Sequence, residues 1–239
     1  MGRDEDEYYL TEEQRIQKEI ERENKKRKPR IWPWIVIICV IIICFLIWKI
    51  NRDSNTCVKK PVLYLYPETT TEVAVQLDVE GRLTTTYPKY QNGWNVTAEP
   101  DGTLKDADGK IYNYLYWEAE SPKRFDLSEG FCVKGSETAE FLETALAELG
   151  LTRREANEFI VYWLPLMEKN KYNVISFQGK AYTDAAVLTI EPKPDTEIRV
   201  FMTWYGSQKP VDLEPQTLTA PERNGFTIVE WGGSEIVGR

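Results

Sequence analysis

The chain has 239 residues, a formal net charge of −8 and no histidine. Without an imidazole side chain, Ser-His-Asp and Cys-His catalysis are excluded, and the usual zinc sites lack their ligands. We therefore predict no bound metal and no cofactor, and only carboxylate, tyrosine, lysine or serine chemistry stays open to this chain.

The first 30 residues (1–30) are predicted to form a charged, partly helical cytoplasmic tail. Acidic residues precede basic ones at helical spacing, as in Glu21 with Lys25 and Glu23 with Arg27. Such pairs stabilise an exposed helix by about 0.2–0.5 kcal/mol each. The apolar stripe of the tail is too narrow for a core. The basic cluster that ends the tail either solubilises and orients the chain or contacts anionic lipid headgroups.

An uninterrupted run of uncharged residues, Ile31 to Trp48, follows the tail. Most of its residues are Ile, Val, Leu or Phe, which corresponds to about 4 to 7 kcal/mol of favourable insertion free energy. At about 1.5 Å per residue the run covers roughly 27 Å, and Lys49 with Ile50 completes a hydrocarbon core of roughly 30 Å by snorkelling. We therefore predict a transmembrane helix over 31–50, whose partner is the lipid bilayer.

The residues around this run predict a retained signal-anchor with the N-terminus in the cytoplasm. No small-residue cleavage site follows the run, and the residues before Cys57 do not fit a lipid-modification site. A basic cluster lies just before the run, whereas only Lys49 and Arg52 lie just after it. The positive-inside rule therefore keeps the tail inside the cell. The expected location is the cell membrane, with one crossing and an extracytoplasmic C-terminal domain.

A linker over 51–59 is predicted to lead into one extracytoplasmic domain over 60–239, a usual size for a single globular unit. Beyond residue 56 the chain holds 19 basic and 28 acidic residues, which is a net charge of −9. A surface with this charge does not attract phosphate backbones, so we expect no nucleic-acid partner.

The domain alternates strand-type and helix-type patterns. Short runs bounded by Pro, Gly, Asp or Asn predict strands, at 62–66, 73–77, 83–87, 93–98, 111–117, 173–177, 186–190, 198–204 and 227–231. Between them, 137–149 carries a helical apolar stripe that ends at Gly150. A capping box at Thr152 opens a second helix. That helix is expected to end near Leu164, because Pro165 disfavours helix in the residue before it.

These elements predict an α+β fold. We expect a mainly antiparallel sheet in the extracytoplasmic domain, with two inserted consecutive helices packed on one face of the sheet. One transmembrane helix precedes this domain. Asp106 and Asp108 before Gly109 are interpreted as a hairpin turn rather than a calcium loop, because the acidic residues lack the full calcium-loop register.

Two of the four cysteines, Cys57 and Cys132, belong to the exported part of the chain. In an oxidising exterior they predict a disulfide that joins the start of the domain to its middle. Closing a loop of about 75 residues stabilises a fold by roughly 4 kcal/mol in the chain-entropy view. The alternative interpretation is two free thiols.

The motifs at the two ends of the domain are similar to those of one family. The domain resembles an uncharacterised bacterial envelope domain that begins with KPVxYLYP and closes with VEWGG, here at 60–67 and 229–233. Further motifs that carry the resemblance are Gly93-Trp94, Tyr116-Trp117-Glu118, Gly130-Phe131, Tyr162-Trp163-Leu164-Pro165 and Gly225-Phe226-Thr227-Ile228. The resemblance covers the chain from Lys60 to Gly233. It implies a bacterial source and an extracytoplasmic setting, and it brings no established activity and no catalytic residue.

The candidate ligand-binding residues are aromatic rings and the acids beside them: Trp94, Trp117, Glu118, Glu230 and Trp231. Flat rings beside carboxylates suit sugars, because rings stack on C–H faces and carboxylates accept hydrogen bonds from hydroxyl groups. The alternative is that these rings fill one face of a sheet. Glu118 and Glu230 are also weak catalytic candidates, since a glycosidase needs two carboxyl groups about 5 to 9.5 Å apart.

Together these features predict a non-catalytic binding module of the bacterial cell envelope that one helix anchors to the membrane. Its expected ligand is a glycan, a wall polymer or another surface protein. The alternative function is a carboxylate-dependent hydrolase that acts on envelope carbohydrate. A third possibility is a sensor, which would need a signalling partner because the tail contains no recognisable enzyme.

Overall fold

The structure is a computed structural model that describes residues 11–26, 32–53 and 56–236. The chain divides into two units, Met1–Asp53 and Ser54–Arg239. The first unit contains helix α1 (Glu12–Lys26) and helix α2 (Trp32–Asp53). The predictions for residues 1–10, 27–31 and 54–55, which include parts of the tail, the span and the linker, lie outside the described residues.

Helix α2 carries an apolar exterior. The described side chains of this helix run from Trp32 to Leu46, and its large apolar residues there are each at least 47% exposed. Counted over the residues that the structure describes, no helix has the length and apolar character that a membrane crossing requires.

The second unit contains two β-sheets. Its described residues form β1 (Thr56–Tyr66), β2 (Thr71–Val79), β3 (Arg82–Tyr87), β4 (Trp94–Ala98), β5 (Leu104–Lys105), β6 (Ile111–Tyr112), β7 (Leu115–Ser121), β8 (Phe131–Lys134), β9 (Tyr172–Phe177), β10 (Ala186–Glu191), β11 (Thr196–Ser207) and β12 (Thr227–Glu235). Sheet A has the order β3-β7-β1-β12-β11-β9-β8, and sheet B has the order β10-β2-β4-β5-β6. Neighbouring strands are antiparallel, except for the parallel pair β11 and β12. An α+β fold with mainly antiparallel sheets is therefore confirmed.

The helices of this unit are α3 (Thr138–Glu148), α4 (Arg153–Met167) and the short α5 (Lys180–Ala185). Helices α3 and α4 match the two predicted consecutive helices, and the capping box between Thr152 and Glu155 is present. The predicted end near Leu164 is wrong. Helix α4 continues through Pro165 to Met167. The Glu168 N–H donates to the Leu164 carbonyl oxygen at 2.9 Å, so the helical hydrogen-bond pattern runs past the proline.

Sheet A is the middle of three layers, because side chains alternate between the two faces of each strand. One face packs against sheet B, around a cluster that includes Leu63, Trp117 and Ile228. The opposite face packs against α3 and α4, around a cluster that includes Val62 and Trp163. Each central strand of sheet A therefore contributes to two separate cores.

The two terminal motifs of the domain lie side by side in sheet A. Strand β1 carries KPVLYLYP and pairs antiparallel with β12, which carries VEWGG. A Cβ atom at Gly232 would lie 3.0 Å from backbone atoms of Pro61, and one at Gly233 would lie 2.6 Å from the Met202 carbonyl oxygen. Only glycine avoids these contacts, which explains the paired glycines of the motif.

Strand β1 contains a bulge at Lys60 and Pro61. Its register slips between Lys59 and Val62 against β12, and between Val58 and Val62 against β7. Proline has no N–H to donate, so within a sheet it is confined to edges, strand starts and bulges. Lys60 has a φ of 58°, and among the described residues no other non-glycine residue has a positive φ. This left-handed conformation costs roughly 1–2 kcal/mol.

Sheet membership differs from the predicted strand pattern around residues 111–117. The single predicted strand is two strands, β6 in sheet B and β7 in sheet A, with a bend between them. The strands β5 and β8 were not predicted, because they are only 2 and 4 residues long and too short for a periodic pattern.

The predicted disulfide between Cys57 and Cys132 does not fit this fold. Both thiols are free, and they lie on β1 and β8, four strand spacings apart in sheet A. At about 4.8 Å per spacing these strands are roughly 19 Å apart, whereas a disulfide needs Cα atoms within about 7 Å. The Cys132 sulfur instead accepts a hydrogen bond from the Val211 N–H at 3.3 Å.

Candidate functional site

The three tryptophans predicted to bind a ligand are core residues. The exposed fraction is 4% for Trp94, 1% for Trp117 and 0% for Trp231. The Trp94 indole donates to the Pro88 carbonyl oxygen at 2.8 Å, and the Trp231 ring packs edge-on against Phe159. These rings have no open face on which a sugar can stack, so the alternative of sheet packing describes them.

Glu230 is fully buried between the two sheets, and both of its carboxylate oxygens are occupied. The Trp117 indole donates to Oε1 at 3.0 Å. The Tyr182 hydroxyl and Arg199 Nε donate to Oε2 at 2.9 and 2.8 Å. Arg199 is held in turn, since its Nη2 donates to the Ala186 carbonyl oxygen at 2.7 Å. The buried charge is thus both paired and hydrogen-bonded, as a low-dielectric interior demands.

Tyr182 and Arg199 close this network. The Tyr182 ring stacks on Phe201 with centroids 4.1 Å apart, and the Arg199 guanidinium lies 5.1 Å from the Tyr182 centroid. Burial raises the pKa of Tyr182 well above its usual value, and the Glu230 charge adds to this. Burial alone would lower the pKa of Arg199, but the charges of Glu230 and Tyr182 and the hydrogen bonds to these two residues together outweigh it and raise that pKa. Neither group therefore exchanges protons near neutral pH, and the network is structural.

Glu118 lies on the opposite face of sheet A from Glu230. It follows Trp117 on β7, and the Trp117 side chain points between the sheets, where it binds Glu230. Side chains alternate along a strand, so Glu118 points to the helix side. The two carboxylates share no cleft. They do not form the acid and base pair that a glycosidase requires.

Glu118 belongs instead to a partly exposed surface that borders α4. Strand β1 and the segment that enters β7 send alternate side chains to this face, and α4 forms its rim. We call it the tyrosine surface, and its residues are Lys60, Tyr66, Tyr114, Tyr116, Glu118, Glu158 and Tyr162. The buried Tyr64 lies beneath it, stacked on Tyr66 with centroids 6.0 Å apart and edge-on to Tyr114 at 5.3 Å.

Lys60 occupies an aromatic cage within this surface. Its Nζ lies 5.7 Å from the Tyr114 ring centroid, 5.4 Å from that of Tyr116 and 5.6 Å from that of Tyr162. Each distance falls within the roughly 6 Å range of cation–π attraction. Among the described residues, no carboxylate oxygen lies within 4.0 Å of this ammonium. The rings hold the cation without neutralising its charge.

The carboxylates of the tyrosine surface are already engaged by the protein. Glu158 Oε2 accepts a hydrogen bond from the Tyr64 hydroxyl at 2.9 Å, and Glu118 Oε1 accepts one from the Lys60 backbone N–H at 3.3 Å. Burial, followed by the hydrogen bond and charge of Glu118, raises the pKa of Tyr116 above its usual range. The phenol of Tyr116 therefore stays protonated and uncharged at neutral pH.

A second cation, Arg223, closes the end of the surface beside Tyr66. Its guanidinium lies 5.8 Å from the Tyr66 centroid and binds both oxygens of Glu155, at 3.2 and 2.5 Å. Burial would raise the pKa of Glu155, but the hydrogen bonds from Arg223 and Thr152 outweigh it and lower that pKa. This cation is neutralised by its partner, in contrast to the ammonium of Lys60.

A separate concavity lies on the outer face of sheet B. It has a volume of about 390 Å³, and polar side chains such as Glu72, Asn95, Lys105 and Glu191 line it together with Asp106. The Asp106 carboxylate holds the β5–β6 turn, because it accepts hydrogen bonds from backbone N–H groups within that turn. No aromatic ring lines this groove. The tyrosine surface is therefore the better candidate for stacking on a sugar.

Sequence patterns had pointed to part of the tyrosine surface only. Glu118 was a predicted ligand-binding residue, and Tyr116 and Tyr162 belong to motifs that carry the family resemblance. Lys60 was not predicted as a site residue, although a lysine before a proline inside a strand is a signal for a bulge. No sequence signal brings Tyr162 of α4 to these residues, because that contact depends on how the helix packs.

No protein-family model matches this chain, and no curated protein or solved structure is significantly similar to it. The resemblance carried by the terminal motifs accordingly stays a prediction. The function has to be argued from the tyrosine surface and from the segment that precedes the domain.

Proposed function

We propose that this chain is a membrane-anchored, non-catalytic binding module of the bacterial envelope, and that its extracytoplasmic domain binds a glycan through the tyrosine surface. The single observation that carries the proposal is the cluster of partly exposed rings beside hydrogen-bonding groups. Sugars suit such a surface, because their C–H faces stack on rings while their hydroxyl groups need polar partners.

The anchor in this proposal is the segment 31–50. Large apolar side chains cover the described exterior of α2 from Trp32 to Leu46. A helix that is apolar all round is typical of a membrane span or a buried core helix. The basic cluster before it favours a cytoplasmic tail and an exported domain.

Protease treatment of intact cells tests the proposed orientation. We expect added protease to degrade an epitope fused to the C-terminus and to spare one placed at the N-terminus, and we expect alkaline carbonate to leave the protein in the membrane. Digestion of the N-terminal epitope alone, or recovery of the protein in the soluble fraction, would contradict the anchor.

Glycan binding is tested with the full chain in lipid nanodiscs and immobilised cell-wall glycans. We expect saturable binding that falls about two- to tenfold when Tyr116→Ala or Tyr162→Ala removes one stacking ring. Tyr205→Ala is the matched control, because this tyrosine lies on β11, outside the tyrosine surface. Absence of binding to every glycan, or equal effects of all three substitutions, would refute the proposal.

A further inference from the structure

We propose that Lys60 is the anion-binding centre of the tyrosine surface, and that the ligand is a saccharide with an isolated carboxylate on an otherwise neutral chain. This inference rests on the proposed glycan-binding function and narrows it to a ligand class. The observation behind it is a lysine ammonium that three rings hold in place and that no carboxylate of the described residues neutralises.

The backbone at Lys60 is strained in order to place this ammonium. The residue has a φ of 58°, and it lies in a bulge at the centre of sheet A, with β7 on one side and β12 on the other. Non-glycine residues in this conformation persist where the surrounding structure holds them, often at ligand sites. The bulge turns the lysine toward Tyr114, Tyr116 and Tyr162.

A comparison with Arg199 and Arg223, the other two ring-bound cations within residues 56–236, shows why Lys60 stands apart. Arg199 lies over the Tyr182 ring and binds Glu230, at 2.8 Å. Arg223 lies over the Tyr66 ring and binds Glu155, at 2.5 Å. Lys60 alone among the three has rings and no carboxylate. Its ammonium therefore keeps hydrogen-bond donors for an oxygen acceptor, and an anionic oxygen is the strongest one.

The nearby carboxylates of Glu118 and Glu158 keep their charges but form no ion pair with this ammonium within 4.0 Å. Glu118 is bound to the Lys60 backbone N–H, and Glu158 is bound to the Tyr64 hydroxyl. They do restrict the ligand, because a densely charged polyanion would meet two carboxylates and a domain of net charge −9. A mostly neutral saccharide avoids this repulsion. Its sugar rings stack on the tyrosines while a single carboxylate reaches Lys60.

The test uses the full chain in lipid nanodiscs and two matched probes. One is a tetrasaccharide of three N-acetylglucosamine units and one glucuronic acid unit, and the other is a tetrasaccharide of N-acetylglucosamine alone. We expect the acidic probe to bind roughly tenfold or more tightly, because charge-assisted hydrogen bonds add affinity. We expect Lys60→Met to reduce its affinity to that of the neutral probe, whereas Lys60→Arg retains most of the preference.

Lys59→Met is the matched control, because it removes the same charge from the neighbouring residue and should leave the preference unchanged.

Equal affinity for both probes, or no effect of Lys60→Met, overturns this inference and leaves the proposed glycan binding intact. Failure of both probes and of all wall glycans overturns the proposed function together with it. Tighter binding of poly(glycerol phosphate) than of the acidic probe overturns the carboxylate assignment. Should Lys60→Met not fold, the inference is still tested by the affinity ratio of the two probes for the unchanged protein and for Lys60→Arg.

Discussion

The two faces of sheet A place charge in opposite ways, although the same strands β1, β7 and β12 build both faces. On the side of sheet B, Glu230 is fully buried and bound by Trp117, Tyr182 and Arg199. On the side of the helices, Lys60 is partly exposed and its ammonium lies over three tyrosine rings. The adjacent residues Trp117 and Glu118 of β7 therefore belong to different faces. Trp117 takes part in the closed network around Glu230, and Glu118 belongs to the open tyrosine surface.

This difference teaches how a conspicuous motif is to be interpreted. The VEWGG motif looks functional because it joins an acid to a tryptophan, yet both side chains are buried, Glu230 between the sheets and Trp231 under the helices. The less conspicuous Lys60 lies where a ligand can reach it. Burial, and not residue type, separates the structural charge from the available one.

The largest expected effect is the loss of Arg199 from the closed network. Arg199→Met leaves the Glu230 carboxylate buried without its cation, and we expect the free energy of unfolding to fall by about 3–5 kcal/mol. Urea denaturation followed by tryptophan fluorescence measures this loss. The double variant Arg199→Met/Glu230→Gln removes both charges and should recover part of it. A loss below about 1 kcal/mol would show that the pair is not a structural requirement.

The packing of β12 under the helices is expected to give the next largest effect. A Cβ atom at Gly233 would lie 2.6 Å from the Met202 carbonyl oxygen and 2.8 Å from the Trp163 ring. Gly233→Ala should therefore lower the free energy of unfolding by about 1–3 kcal/mol, measured by urea denaturation. Gly179→Ala is the control, because a Cβ there meets no atom within 4 Å. Equal effects of the two substitutions would contradict this packing.

Alkaline pH is expected to weaken the packing on both faces of sheet A, through Tyr182 between the sheets and Tyr64 on the helix side. Tyr182 and Tyr64 have pKa values raised above 10.0, in both cases first by burial and then by a neighbouring carboxylate. A raised tyrosine pKa means that the folded state holds its proton longer than the unfolded state does. This contribution to stability is complete below about pH 10 and is lost as the pH rises above it, by up to about 1.4 kcal/mol per pH unit for each fully buried phenol.

Urea midpoints measured between pH 8 and pH 11 check this expectation. Tyr182→Phe should flatten the decline above pH 10, because the phenylalanine has no proton to lose. A stability that stays constant up to pH 11 would contradict the buried hydrogen bond between Tyr182 and Glu230.

The smallest expected effect on stability is at Lys60. Lys60→Met removes an exposed cation–π contact worth about 0.5–1 kcal/mol, while the left-handed backbone remains. Thermal unfolding followed by circular dichroism measures this change. A destabilisation of about 3 kcal/mol or more, which is the scale expected when a buried ion pair loses one partner, would show that Lys60 is a structural residue like Arg199 and would remove the distinction between the two faces.

Local sequence patterns predicted much of the fold and little of the site. Short runs bounded by Pro, Gly, Asp or Asn predicted most strands, and the Thr152–Glu155 capping box predicted the start of α4, because both signals depend on neighbouring residues. The disulfide between Cys57 and Cys132 failed, because strand order in space sets that distance. The buried tryptophans could not be distinguished from exposed ones, since both faces of sheet A are covered by other layers and the same residue types occur on each.

The place of β12 has a consequence for biosynthesis. This strand is formed by residues 227–235, yet it lies between β1, which opens the domain, and β11. A ribosome or a translocation channel releases the chain from its N-terminal side, so the middle of sheet A stays open until these last strand residues have emerged. Contacts that span almost the whole domain fold slowly and leave unpaired strand edges exposed meanwhile. The nascent domain therefore needs protection from aggregation until its final strand arrives.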